Sequence, residues 1–127
     1  MDTIAYSENG ASLSGLLVQP SKGTARAGVL VCHEGPGRGG HIHRRLEMLA
    51  DLGYAAFALD VFGDGAPIET EREKIFGRLM PWLENRQGLR ARAHAGVDPV
   101  VDVRRATGER AARPRAAAAA HDEPPRR

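Results

Sequence analysis

Residues 33 to 40 read His-Glu-Gly-Pro-Gly-Arg-Gly-Gly. Gly35, Gly37 and Gly40 fit the G-x-G-x-x-G spacing that lets a backbone approach a pyrophosphate, whose charge the following helix N-terminus offsets. Asp60 lies 20 residues after Gly40, where the dinucleotide pattern places an acid for a ribose hydroxyl. One reading is therefore a dinucleotide-binding, Rossmann-like unit through Gly35, Gly37, Gly40 and Asp60. Three details weigh against it. Two polar residues, His33 and Glu34, separate the apolar run from the first glycine. Pro36 lacks an amide donor where a phosphate cradle needs one. A hairpin also precedes the unit, whereas the fingerprint normally sits on the first strand.

Nucleophilic catalysis needs a Cys or Ser on a strand end, with a base in reach. Cys32, the one cysteine, closes an apolar run with no sharp turn around it, so core packing is the expected role. The four serines, Ser7, Ser12, Ser14 and Ser21, all fall in the N-terminal hairpin region, and Gly10-Ala11-Ser12-Leu13-Ser14 fails the G-x-S-x-G test at its last position. His94 and His121 stand where no strand end would aim them. His41 and His43 are two apart on a helix start, do not share a face and cannot readily chelate one metal. No cofactor and no metal is expected.

The elements that must carry these residues follow from periodicity. Thr3–Ser7 and Leu13–Val18 read as strands joined around Asn9-Gly10, a pair suited to a tight hairpin. The run 27–32 (AGVLVC) looks like a strand buried on both faces. A helix is predicted from about His41 to Leu52, with Ile42, Leu46, Leu49 and Ala50 on one face and Gly53 ending it. Tyr54–Leu59 is a second buried strand, closed by Asp60, which outside the nucleotide reading would make hydrogen bonds at the strand end. Strand, helix and strand make a βαβ unit with parallel strands. Residues 64–67 form a turn. A helix is expected from Ile68 to about Met80, with Pro81 breaking it or starting the next turn, Trp82 and Leu83 in the core, and a weak helix over Leu89–Val97.

In order, the hairpin, VLVCHEGPG, the helix ending in LADLGY, the strand AAFALD and then VFGDG resemble the dienelactone hydrolase family of α/β-hydrolases over about residues 6 to 97. The resemblance implies an incomplete α/β-hydrolase sheet: an N-terminal hairpin plus a parallel βαβ unit and flanking helices. It implies ester or lactone hydrolysis of a small molecule. In that family the HEG-type loop lends a backbone N–H to the oxyanion hole and a Glu that contacts the resting nucleophile. By resemblance these are Gly35 and Glu34. Preorganised N–H groups are what a tetrahedral oxyanion requires. The family's Cys in a G-x-C-x-G elbow, its Asp and its His are absent. The basic residue that helps the founding enzymes bind a carboxylate substrate would fall in Gly63-Asp64-Gly65, which holds none. The chain is therefore expected to stop before the nucleophile and to be inactive alone. The run 27–32 would become an open sheet edge, prone to self-association. Completion of the sheet by a partner chain, with this one as a non-catalytic subunit, is the third reading.

Composition limits the rest. The chain has 127 residues, enough for one core. Residues 1–103 hold 11 Lys/Arg against 13 Asp/Glu, and residues 104–127 hold seven Arg against three acids. The body is thus mildly acidic, and neither nucleic acid nor membrane is expected as a partner. A single cysteine and no leader-like start point to the cytoplasm. Residues 104–127, with eight Ala, seven Arg and three Pro, read as a disordered tail apart from the 1–103 unit. An out-of-frame reading of a GC-rich gene would give such a composition.

Overall fold

Asn9 and Gly10 adopt positive φ, 46° and 81°, and so reverse the chain tightly between β1 (Asp2–Glu8) and β2 (Ala11–Val18). The two strands pair antiparallel from Asp2↔Leu17 to Glu8↔Ala11. This is a computed structural model, and it describes residues 1–103 and 105. After the hairpin come β3 (Gly28–Val31), α1 (Gly40–Asp51), β4 (Ala55–Ala58), α2 (Arg72–Leu83) and α3 (Arg86–Ala95). Residues 97–103 are helical as well.

The sheet order is β1-β2-β4-β3. β4 lies antiparallel to β2 and parallel to β3, which gives the expected βαβ unit. Its four residues are all buried because each face is covered. Ala56 and Ala58 meet Ile42 and Leu46 of α1; small side chains on the strand let the helix lie close. Phe57 fills the opposite face with Leu17, Leu59 and Val100. Gly53, with φ of 95°, donates to Ala50 O at 2.9 Å and ends the α1 region in the left-handed conformation that glycine tolerates best.

Several expectations need correcting. The run 27–32 forms the open sheet edge expected of it, β4 lying between β2 and β3, but its residues are half-exposed and not buried on both faces. Cys32 is consequently exposed rather than packed in the core. α2 begins at Arg72, not Ile68, because the Glu69 side chain accepts from the N–H of Thr70 and Glu71 and makes a turn there. Of the two roles open to Pro81, it does not break the helix: it sits inside the last turn of α2, which runs on to Leu83. Leu83 is exposed and Trp82 half-buried, the indole lying 4.7 Å from the Arg92 guanidinium. α3 starts at Arg86, where Asn85 caps it by accepting from Gly88 N. The expectation for residues 104–127 falls, apart from the helical Arg105, outside the described residues.

Candidate active-site loop

Every connection that follows a parallel strand gathers at one end of β3 and β4. Residues 33–40 leave β3, and residues 60–68 leave β4. The glycines of the first loop make room for the second and for α2. A Cβ on Gly37, whose φ is 106°, would sit 2.5 Å from Pro67 O, one on Gly39 would sit 2.8 Å from Ile68 Cδ1, and one on Gly35 would sit 3.0 Å from Leu79 Cδ2. The loop amides are spent in the same way: Gly37 N–H donates to Glu34 O at 3.0 Å and Arg38 N–H to Ala66 O at 2.7 Å. A phosphate cradle needs those donors free.

Asp60 is wholly buried. Its Oδ2 accepts from Ser14 N and Gly65 N, both at 2.9 Å, and its Oδ1 accepts from Gly63 N at 2.8 Å. Its own N–H donates to the Tyr6 hydroxyl at 2.9 Å. Burial raises the Tyr6 pKa, with the Asp60 charge adding to the rise. Shielded from solvent and engaged by three backbone donors, this carboxylate is not presented to a ribose. It holds the turn Gly63-Asp64-Gly65-Ala66, in which all four residues have positive φ (93°, 55°, 79° and 48°).

His33 is the residue the sequence reading passed over. It is buried, with its ring tilted against Phe62 at 4.8 Å. Nδ1 lies 3.0 Å from Glu34 O, and Val61 N–H donates to Nε2 at 3.1 Å. A carbonyl can only accept and an amide can only donate, so the proton must be on Nδ1 and the ring neutral. Burial accordingly pushes the imidazole below its ordinary range. Arg78 closes the arrangement from α2. It donates to Gly35 O at 3.0 Å and to Pro67 O at 2.8 Å, and its guanidinium stacks 4.4 Å from the Phe62 ring. Arg38 donates to Ser14 O from within the loop. Its pKa is lowered by burial.

Glu34 and Gly35 stand at the mouth of this assembly. The Glu34 side chain is exposed and lies 3.7 Å from His41 Nε2, itself exposed. Glu34 and His41 border a cleft of about 180 Å³ with Pro36, Gly39 and Ile68 on its walls. Among the described residues, no carbonyl accepts from the Gly35 N–H. Cys32, at the end of β3, donates to its neighbour's His33 O at 3.6 Å, and burial of its surroundings raises the thiol pKa. A thiol so placed is held protonated, unlike an activated nucleophile. His94 is exposed on α3. Among the described residues, no group of three or more His, Cys, Asp or Glu could hold a metal ion, and no helix is long and apolar enough to cross a membrane.

A scan against protein-family models found no match, and no curated protein matched the sequence. Solved structures do match. The protein m3DLH superposes with a TM-score of 0.71 at 33% identity, over 79% of this chain and 42% of that one. A dienelactone hydrolase-like promiscuous phosphotriesterase from metagenomic libraries gives a TM-score of 0.71 at 28% identity, over 79% and 41%. A third structure, from Klebsiella pneumoniae subsp. pneumoniae MGH 78578, shares the fold with a TM-score of 0.59 at 20% identity. The chain thus spans about two fifths of the length of the first two, at 42% and 41%. Its hairpin, parallel βαβ unit and flanking helices are similar to part of the α/β fold of these dienelactone hydrolase-like structures.

Proposed function

We propose that this chain supplies the oxyanion loop of a dienelactone hydrolase-like hydrolase of carboxylic esters or lactones, and that it turns over no substrate by itself. The structure m3DLH matches it at 33% identity and a dienelactone hydrolase-like phosphotriesterase at 28%. The observation that carries the reading is the unspent Gly35 N–H beside the Glu34 carboxylate, at the carboxyl end of a parallel strand. A single oriented amide there serves a carbonyl oxygen turning into an oxyanion, and equally a phosphoryl oxygen. Phosphotriesters therefore belong in the assay beside esters, as one of the structural neighbours is a phosphotriesterase. Glu34 is the acid that would touch a nucleophile from another part of the fold.

Purified chain, assayed with a chromogenic acetate ester and a chromogenic phosphotriester, is expected to match the buffer background. Sustained turnover that a substitution such as Cys32→Ala abolishes would sink the proposal. Reading the surrounding DNA in all frames for a Gly-x-Cys-x-Gly elbow is the second test. Its absence would remove the case for an intact hydrolase assembled around this unit.

A further inference from the structure

The peptide group joining Glu34 to Gly35 is held at its oxygen from two sides. His33 Nδ1–H and Gly37 N–H both donate to Glu34 O, each at 3.0 Å. In a trans peptide the C=O and the N–H point in opposite directions, so anchoring the oxygen inward turns the Gly35 N–H outward. The next peptide is fixed as well, since Gly35 O accepts from Arg78 at 3.0 Å. His33 is itself braced by Val61 N–H on its other nitrogen, and Arg78 by Pro67 O. Both flanks of Gly35 are thereby tied to the connection leaving β4. None of these contacts is needed to close the sheet or to bury the core.

We propose that His33 and Arg78 are positioning residues that lock the Glu34–Gly35 peptide plane and so aim the Gly35 amide at the place an oxyanion would form. This rests on the hydrolase reading for its purpose, but its geometry is tested without turnover. The lock requires a neutral His33. An imidazolium would carry a proton on Nε2 against the Val61 N–H and break the brace. The charged groups around the ring are the Asp60 carboxylate, which favours protonation, and the Arg38 and Arg78 guanidiniums, which oppose it along with burial. Protonation therefore comes only below the usual midpoint of about 6.5.

The test is a series of nitrogen–proton NMR spectra of the labelled full chain through that pH range. The His33 ring nitrogens should report the Nδ1–H form at neutral pH. The Gly35 amide should shift with the His33 midpoint as the pH falls. At neutral pH it should exchange with solvent about ten-fold or more faster than the Gly37 amide, which is hydrogen-bonded. Arg78→Lys, which keeps the charge but cannot span Gly35 O and Pro67 O, should displace the amides of residues 33–40 and 61–68 and leave β1 and β2 unmoved. A Gly35 amide that ignores the His33 titration in the folded wild-type chain, or that exchanges as slowly as Gly37, would overturn the proposal. Neither result depends on ester hydrolysis, so this inference and the hydrolase reading fail separately.

Discussion

A carboxylate taken wholly out of water is tolerated only when hydrogen bonds replace its hydration. Asp60 accepts from three backbone N–H groups, and two of these belong to the left-handed turn after β4. The left-handed conformation costs a non-glycine residue about 1–2 kcal/mol, and Asp64 and Ala66 both adopt it. Asp60 offsets that cost. Removing the carboxylate strands three partly buried donors, each worth about 1–3 kcal/mol. Asp60→Ala is accordingly expected to lower stability by at least about 3 kcal/mol, which a urea titration resolves as a midpoint falling by about 1 M or more. A midpoint equal to the parent's would show that water reaches those amides and that the turn is held by something else. Asp60→Asn should also destabilise, because its amide group would face an N–H with another N–H.

At the level of elements, the sheet's second layer depends on a pairing between a glycine and a phenylalanine. Phe57 lies over Gly15, and a Cβ there would come within 2.1 Å of its ring. Gly15→Ala should push Phe57 out of the cluster it forms with Leu17, Leu59 and Val100. An overpacked core of this kind loses about 1–3 kcal/mol. The melting temperature should fall, and the pairing Gly15→Ala with Phe57→Leu should restore part of the loss; a double variant no more stable than Gly15→Ala would show that the ring is not the obstacle. Most of this architecture was legible in the sequence. Asn9-Gly10, the periodicity of Ile42, Leu46 and Ala50, and the run 54–59 each point to one local structure. The errors arose where tertiary placement decides. Nothing in AGVLVC by itself tells an edge strand from a central one, so the run suggests a core position that Cys32 does not occupy. The helix over 97–103 hides behind Gly96 and Pro99, yet supplies the buried Val100. At the site, the pattern located the loop, but His33 and Arg78 act through backbone carbonyls that carry no sequence signature. A His beside an acid signals chemistry more readily than it signals a brace.

For the whole molecule the decisive feature is the open side of β3. Ala27 O and Val31 O accept from Ala55 N and Leu59 N of the neighbouring chain segment. Backbone groups alternate sides along a parallel strand, so Gly28 and Leu30 turn their N–H and C=O away from β4, where no strand follows among the described residues. Natural edges are blunted by lysine, proline or a bulge, whereas this one reads Gly-Val-Leu-Val. It therefore invites another strand. The purified chain is expected to self-associate as its concentration rises, with sedimentation velocity showing a growing weight-average mass. Val29→Lys places a charge on this edge without touching the residues that form the loop's hydrogen bonds, and it should shift the distribution towards monomer. Association that Val29→Lys leaves untouched would locate the contact on another surface, such as the exposed Phe76, Met80 and Leu83 of α2. A chain that stays monomeric at every concentration would overturn the prediction. The same edge is where a completing strand would have to add if the loop beside it is to meet a nucleophile, so association and catalytic assembly compete for one row of backbone groups.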